Sequence, residues 1–424
     1  MTISSEPVDN LETNNLSPND IINNVEASDI GDQEQMSSDL PTDEQKLRVL
    51  VVCHAYVTGV NQGKLDAIAK THQADVALLV PNKWKSFGWG NIKTLDTPYS
   101  SIRLYPSSIL FSGRVGAYFY WPWRVWQVIR DFNPDIIHVE QEVFSLSALE
   151  IAFFARWFKK PMSVFGWENM ARELPVPRQW IRQFVFNTTQ LIIPGNRDGE
   201  KIMRQWNYAG QLEVMPQIGV DTELFPHRPR ELTKGKPFIV GFMGRLVKQK
   251  GVDLIFSAVR KLREKGINNI QIMICGSGVE AESLQADASE KGIADLVQWC
   301  SGLSHNQVPE AMDMFDVLVL PSRTIPSWKE QFGHVLIEAM SLGIPAIGSD
   351  SGEIPNVIDE PALVFPEDDA EALADILEKV STNPDWYAAI SRKCIDRVDS
   401  LYSHERIAQR LITLWRDICK TFSR

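Results

Sequence analysis

A glycine turn followed by two cations lies near the middle of the chain. Residues 241–253 contain Gly244, Arg245 and Lys250, and a helix is predicted to begin near Gly251. A glycine turn lets the backbone approach a ligand closely, and cations beside a helix N-terminus suit a diphosphate. The alternative is a basic turn with solvated side chains, and this segment alone does not decide between the two.

Two glutamates separated by seven residues form a second segment with chemical potential. Glu330 follows the apolar run 317–320, and Glu338 lies just over one turn inside a helix predicted to start near Gly333. Free backbone N–H groups at that helix end can hold an anion. In that arrangement one carboxylate can accept hydrogen bonds from hydroxyls such as those of a sugar at the helix mouth, and the other can reach a ribose. The alternative is a surface helix with two solvated glutamates.

Apolar, β-branched runs alternate with helical patterns on both sides of a proline-rich linker. Such runs are typical of strands buried on both faces of a parallel sheet, and they lie at 47–53, 75–80, 135–139, 162–165, 190–193, 213–215, 238–242, 270–275, 296–300, 317–320, 345–348 and 362–365. Helical patterns lie at 64–70, 148–158, 179–188, 370–380 and 404–422.

The linker, residues 225–237, contains three prolines and mixed charge without periodicity. The sequence therefore predicts an α/β fold of two tandem Rossmann-like domains, 47–228 and 229–424, with an interdomain cleft. Ligands of such sheets bind beyond the carboxyl ends of the strands. The last helix is expected to pack back on the N-terminal domain.

The charge is distributed unevenly along the 424 residues, whose formal net charge is −11. Residues 1–46 hold eleven acidic residues and one basic residue and contain no aromatics, which predicts a disordered acidic tail. Residues 47–225 carry 19 basic and 15 acidic residues, so the N-terminal domain is the basic one. The acidic total argues against nucleic acid as a partner.

The remaining composition indicates a cytoplasmic protein. The sequence contains no run of 18 or more apolar residues, so no membrane-spanning helix is predicted. The N-terminus lacks the basic start and apolar core of a secretory signal. Five scattered cysteines fit reduced thiols better than disulfides or zinc. Glu367, Asp368 and Asp369 look like a metal-binding motif, but their place between a strand and a helix favours N-capping.

Taken in order, these segments resemble the retaining glycosyltransferases of family 4 (glycosyl transferases group 1), which have the two-Rossmann GT-B fold. The resemblance covers residues 47–424, and its further landmarks are 218–225, 276–278, 320–322 and 348–353. It implies a retaining hexosyltransferase that moves a sugar from a nucleotide diphosphate sugar to an acceptor hydroxyl. The implied acceptor is a sugar, a lipid-linked precursor, a glycolipid or a polysaccharide precursor.

The resemblance also implies roles for individual residues and no cofactor. Arg245, Lys250 and Glu330 are the implied catalytic residues, with the two cations on the diphosphate and the carboxylate on the donor sugar. The implied donor-binding residues are Gly244, Phe332, Gly333, His334 and Glu338, the last of them on the ribose. No metal is implied, because cations and the helix dipole take its place at the diphosphate.

The N-terminal domain departs from the family pattern at two places. Gly59 and Gly63 are present, but not as the adjacent pair that relatives often have after the first strand. No histidine follows the strand at 162–165, so Glu168 and Asn169 are the weaker candidates for sugar or acceptor contacts. His138 ends another strand and is a further candidate for the cleft, with a purely structural role as the alternative.

A basic, aromatic stretch lies between Lys83 and Arg130. It holds seven basic residues, one acidic residue and five of the 13 tryptophans, and Trp157, Lys159 and Lys160 lie further on. Tryptophans with cations favour contact with an anionic membrane surface, so peripheral attachment at a cytoplasmic face is predicted. The alternative is core aromatics together with an acceptor cleft that stacks sugars on rings.

Two other functions remain open at this point. A nucleotide-sugar epimerase of similar fold would act on the donor without an acceptor. A catalytically silent nucleotide-sugar-binding protein would bind the donor without turnover. The departures in the N-terminal domain leave this function open, whereas the intact Arg245 and Lys250 pair and both glutamates argue against it.

Overall fold

The structure, a computed structural model, describes residues 46–85 and 92–422. The predicted acidic tail, residues 1–46, therefore lies outside the described residues except for Lys46. The described chain forms two lobes, each built on a parallel sheet. This arrangement confirms the predicted α/β architecture with two Rossmann-like units.

The first lobe contains the longer sheet. Its strands and two short hairpins are β1 Leu47–Val52, β2 Ala74–Pro81, β3 Lys83–Lys85, β4 Ile92–Thr94, β5 Arg103–Ser107, β6 Ile109–Leu110, β7 Phe119–Tyr120, β8 Ile136–Glu140, β9 Met162–Gly166, β10 Leu191–Pro194 and β11 Gln211–Leu212. The order in the main sheet is β11-β10-β9-β8-β1-β2-β5, and every pairing in it is parallel.

Helices cover both faces of this sheet. Those of the first half of the chain are α1 Gly63–Lys70, α2 Pro122–Phe132, α3 Leu146–Trp157, α4 Val176–Phe186 and α5 Arg197–Gln205. Apolar side chains of α2 to α5 pack with Leu50, Val139 and Ile192 on one face. The α1 helix packs with Val49, Val51 and their neighbours on the other. The alternation follows from the period-two geometry of strands, which sends successive side chains to opposite faces.

The second lobe has a six-stranded parallel sheet in the order β14-β13-β12-β15-β16-β17. Its strands are β12 Phe238–Met243, β13 Ile270–Cys275, β14 Val297–Cys300, β15 Val317–Leu320, β16 Ala346–Ser349 and β17 Val364–Phe365. Its helices are α6 Val252–Glu264, α7 Ala281–Glu290, α8 Val308–Met312, α9 His334–Ser341, α10 Ile354–Ile358, α11 Ala370–Thr382 and α12 Pro384–Arg397.

The final helix returns to the first lobe. This helix, α13 His404–Phe422, packs Ile407, Leu411 and Trp415 into the same core as α1. Before it, Val220 forms an isolated parallel bridge with Ser403. The chain therefore passes between the lobes twice, once at the linker and once before α13. None of the described helices combines the length and the apolar character that a membrane span requires.

Candidate functional site

A glycine-lined turn follows β12 at the carboxyl edge of the second sheet. A Cβ atom added to Gly276 would lie 1.9 Å from the carbonyl oxygen of Gly244, so the two loops meet backbone to backbone. Together with Arg245, Ser277 and Leu303 these loops line a cavity of about 350 Å³. The Arg245 side chain is exposed, and its guanidinium has no hydrogen-bond or ion-pair partner among the described residues. It is available to a ligand in this cavity.

Lys250 and Glu330 form an ion pair in the cleft. Lys250 lies in the 3-10 turn Lys248–Lys250, and the left-handed Gly251 after it (φ 64°) lets α6 begin at once. The Lys250 Nζ lies 2.5 Å from Glu330 Oε2, which also accepts a 2.8 Å hydrogen bond from the Ser322 hydroxyl. Two of the predicted catalytic residues are therefore in contact, with the lysine ammonium presented by one loop and the carboxylate by another.

The α9 helix begins at this same loop. Phe332 and Gly333 directly precede it, and the first N–H groups of a helix have no intrahelical acceptor. His334 and Glu338 line a cavity of about 440 Å³ together with Asp221 and His404. Burial lowers the pKa of His334 to about 4, against the opposing effect of Glu330, so its ring is neutral at pH 7. Of the predicted donor-binding residues, Gly244 lines the first of these cavities and His334 and Glu338 line the second, whereas Phe332 lines a separate cavity beside Glu353 and Tyr402.

The Glu338 carboxylate has no hydrogen-bond partner among the residues that the structure describes. Burial raises the pKa of Glu338 to about 7, above the value of about 4.3 for an exposed glutamate. Between these values the folded protein binds the additional proton, so this group makes the free energy of unfolding fall as pH rises. A hydroxyl donor in the cavity would offset this cost.

We expect Glu338→Gln to remove this pH-dependent contribution. The unfolding free energy of the variant should fall less than that of the wild type between pH 5 and pH 8, and urea denaturation at both pH values measures this. Glu142 and Glu150, whose pKa values burial raises to about 7 and about 8, keep their own contributions in both proteins. Exposed Glu290→Gln is the matched control. Equal pH dependence in the wild type and Glu338→Gln would contradict the prediction.

Loops of the first lobe reach the same site from the carboxyl ends of β8 and β9. The Asn169 side-chain amide donates to the carbonyl oxygens of Lys329 (3.3 Å) and Glu330 (3.4 Å). The Gln331 amide donates to the Trp167 carbonyl at 2.9 Å, and the Trp167 ring centroid lies 6.1 Å from that of His334. The Glu330 loop is therefore held against the first lobe.

Trp167 was not singled out from the sequence as a site residue, although it directly follows β9 and precedes the candidates Glu168 and Asn169. Its indole N–H donates to Gln217 Oε1 at 2.9 Å, and the Gln217 amide donates to Glu140 Oε2 at 2.7 Å. Glu140 is buried and also bonds the ammonium of Lys64 (2.5 Å) and the hydroxyl of Tyr56 (2.9 Å). A chain of hydrogen bonds thus joins the indole in the cleft to a buried ion pair.

Of the weaker candidate residues in the first lobe, some lie near a cavity and others do not. A Cβ atom on Gly63 would lie 2.8 Å from Nε2 of His404, so this glycine permits close approach of a cavity-lining ring. Gly59 packs on the segment containing Asp96 and donates its N–H to the Asp96 carboxylate at 3.1 Å. The Glu168 carboxylate is buried and pairs with Arg172 at 2.8 Å. Neither Gly59 nor Glu168 lines a cavity described above.

His138, a weaker candidate for the cleft, does not face it, and its role is the structural alternative. In β8 its side chain points to the face covered by α13, where it is 1% exposed. A 2.8 Å hydrogen bond joins its Nδ1 to Ser163 Oγ. The ring also packs on Trp415, with 5.2 Å between the two ring centroids. Burial lowers its pKa, so the ring is neutral.

The acidic run 367–369 acts within the fold. Asp369 accepts a hydrogen bond from the Ala372 N–H at the start of α11, which confirms the predicted N-cap, and Asp368 pairs with Arg323.

A further cavity of about 450 Å³ lies at the amino edge of the second sheet, beside Phe238 and Asp316, and contains none of the predicted site residues.

Comparisons with known proteins identify similar sequences and similar structures. Residues 225–397 match the family model described as glycosyl transferases group 1. This match includes Arg245, Lys250, Glu330 and Glu338. The chain is also 26% identical over 262 residues to the GDP-mannose-dependent alpha-(1-6)-phosphatidylinositol monomannoside mannosyltransferase of Mycobacterium tuberculosis. That alignment covers 59% of this chain and 66% of the relative, just under two thirds of the relative's length.

Solved structures share the fold. Sucrose-phosphate synthase from Thermosynechococcus elongatus superposes with a TM-score of 0.66 at 18% identity, covering 89% of this chain and all of that one. Anabaena HepE in complex with UDP and glucose gives a TM-score of 0.62 at 15% identity, covering 88% of this chain and all of that one. The two lobes therefore have the arrangement of GT-B glycosyltransferases.

Proposed function

We propose that the protein transfers a sugar from a nucleotide diphosphate sugar to an acceptor hydroxyl, because residues 225–397 match the family model described as glycosyl transferases group 1. The observation that carries this proposal is the Lys250–Glu330 pair in the cleft, beside α9 and the unpartnered Glu338 carboxylate. A sugar diphosphate presents an anion to the cation and hydroxyl donors to the carboxylates, so one ligand complements all of these groups.

Lys250 and Arg245 would stabilise the charge that develops on the departing diphosphate. The N–H groups at the start of α9 would add to this stabilisation. Glu330 would accept hydrogen bonds from the donor sugar and Glu338 from the ribose. We propose that these groups act without a metal ion, and transfer that persists in EDTA would support this. Retention of the anomeric configuration is part of the proposal and rests on the family resemblance.

We propose a glycolipid or a polysaccharide precursor as the acceptor. The mannosyltransferase from Mycobacterium tuberculosis is named for a phosphatidylinositol monomannoside acceptor, which supports a lipid-bound hydroxyl. The basic character of residues 47–225 is consistent with an anionic acceptor or an anionic membrane at which the acceptor is presented.

A donor screen tests the proposal in two steps. Differential scanning fluorimetry with a panel of nucleotide diphosphate sugars should show one or more donors raising the melting temperature, because a ligand bound only by the folded state stabilises it. With that donor and a phosphatidylinositol or lipid-linked acceptor, release of the nucleotide diphosphate should match the appearance of a glycosylated product.

The same assay separates the alternatives. Conversion of the donor without an acceptor would indicate an epimerase, and binding without turnover would indicate a silent binding protein. Either result would contradict the proposed transfer. NMR of the product at the anomeric carbon decides between retention and inversion.

A further inference from the structure

Exposed aromatic side chains are concentrated on the outer surface of α2, α3 and α4. These three helices pack side by side on one face of the first sheet. Every tryptophan that is more than a third exposed in the described part of the chain lies here. The aromatic layer, as we call this surface, consists of Trp121 (37% exposed), Trp123 (63%), Trp126 (40%), Phe153 (51%), Trp157 (68%) and Trp180 (76%).

Packing within the protein does not account for this layer. The buried sides of the helices already fill the core, for example with Val125, Val128 and Ile129 of α2. The outer face of such a helix is ordinarily polar. Here Trp121 and Trp123 lie in contact, with 4.8 Å between their ring centroids, and Phe153 stacks on Trp157, with 6.2 Å between theirs. Exposed aromatic side chains concentrated on three adjacent helices are typical of an interaction site.

The charged groups of the aromatic layer are almost all basic. Arg130, Arg156 and Lys159 are exposed, whereas Arg124 and Arg182 are half-buried and the Arg178 guanidinium donates to the carbonyl oxygens of Gly116 and Phe144. The two acidic side chains of the three helices are both engaged. Asp131 bonds Arg103 and Tyr105, while Glu150 accepts from the Tyr120 N–H at 2.8 Å, and burial raises the pKa of Glu150 to about 8. The layer therefore presents indoles and positive charge together.

We propose that the aromatic layer docks the protein on an anionic lipid bilayer. Indoles favour the interface between headgroups and acyl chains, and basic side chains favour the negative surface of such a membrane. A second copy of the chain fits the layer poorly, because a two-fold interface would bring these basic side chains against their own copies. The lipid surface complements both features.

The position of the layer suits a reaction at the membrane. The α3 and α4 helices follow the strand ends that carry Glu142 and Trp167, so they start beside the cleft. The layer also differs from the stretch predicted in the sequence. Trp84 is half-buried against His54 and Tyr118, whereas Phe153 and Trp180 had no part in the prediction. The proposed membrane docking depends on the residues of the aromatic layer and does not depend on the proposed sugar transfer.

Vesicle co-sedimentation of the full chain tests the docking. We expect binding to phosphatidylcholine vesicles containing phosphatidylglycerol, little binding to pure phosphatidylcholine, and weaker binding as salt increases. Trp157→Ala/Trp180→Ala should lower the vesicle affinity about ten-fold. Arg156→Gln/Lys159→Gln should lower it about 30-fold at low salt, because each base near an anionic surface contributes a factor of about five.

Matched variants on the second lobe control for general changes in hydrophobicity and charge. Val279→Ala/Met314→Ala removes exposed apolar side chains, and Lys234→Gln/Lys236→Gln removes exposed bases. Both controls should bind vesicles like the wild type. Circular dichroism melts check that every variant is folded.

Three results would overturn the docking. They are no binding to anionic vesicles at low salt, equal binding by the layer variants and the controls, and a stable dimer in lipid-free solution that Trp157→Ala/Trp180→Ala dissociates. Failure of the sugar-transfer assay with intact vesicle binding would instead contradict only the proposed function.

Discussion

Lys250→Ala is expected to lower the turnover of sugar transfer by about three orders of magnitude while the protein stays folded. Removal of one preorganised group that stabilises developing negative charge costs about 10²- to 10³-fold in rate. The Glu330 carboxylate, 2.5 Å from the lysine in the wild type, would then face the diphosphate without its cation and add repulsion. Transfer assayed at saturating donor measures the effect.

Lys248→Ala is the matched control, because Lys248 lies in the same 3-10 turn and is exposed. It should keep turnover within a few-fold of the wild type. The Glu330→Gln variant and the double variant Lys250→Ala/Glu330→Gln complete the test. If the ion pair acts as a unit, the double variant should lose much less than the product of the two single losses. Turnover of Lys250→Ala within ten-fold of the wild type would contradict the site assignment.

Strand and helix patterns in the sequence predicted most of the two sheets. The runs at 270–275 and 317–320 and the helix at 404–422 coincide with β13, β15 and α13. Such buried elements are apolar on every side or along a full stripe, so their periodicity is unambiguous. The expected strand at 213–215 is instead β11, two residues earlier and only Gln211–Leu212 long, because an edge strand carries little apolar pattern.

The α2 helix is not among the helical segments predicted from the sequence, although its buried apolar residues Val125, Val128, Ile129 and Phe132 recur at helical spacing. Its outer face carries Trp123 and Trp126, where a surface helix normally has polar side chains. The α12 helix, Pro384–Arg397, was also not predicted. In both helices a proline at the first position marks the start.

Some residues of the candidate site could be predicted from local sequence motifs, whereas others are brought together only by the fold. Gly244, Lys250 and the two glutamates belong to local motifs whose order along the chain indicates a ligand. The contact of Trp167 with Gln217, and of Gln217 with Glu140, joins residues 50 and 77 positions apart. The period of a strand shows that His138 and Glu140 share a face but not which core that face meets. Tertiary packing decides this.

Lys64→Met is expected to be the most destabilising of the substitutions considered. Lys64 and Glu140 form an ion pair in which both side chains are almost fully buried, at 2% and 0% exposure. Loss of one partner leaves a buried charge without compensation, which costs about 3–5 kcal/mol of unfolding free energy. Lys70→Met is the control on the same helix, since Lys70 is exposed and its pair with Asp66 should contribute less than about 1 kcal/mol.

The pH dependence distinguishes this ion pair from simple packing. Burial acts to raise the pKa of Glu140, but the Lys64 ammonium and the His138 ring outweigh it and hold that pKa well below its usual range. The pair therefore stabilises the wild type fully above the unfolded carboxyl pKa of about 4.3, and this contribution begins to fall below that value and is lost progressively as pH approaches the much lower folded-state pKa. The difference in unfolding free energy between the wild type and Lys64→Met should be largest near pH 7 and smaller at pH 4.

The double variant Lys64→Met/Glu140→Gln removes both charges and should recover part of the lost stability, because no uncompensated charge then remains in the core. Urea denaturation of the two variants at both pH values measures this. A difference that does not change with pH would indicate that Lys64 contributes by packing alone. Since Glu140 also holds Gln217, and Gln217 holds the Trp167 indole, we expect the double variant to bind its donor more weakly even where its stability is restored.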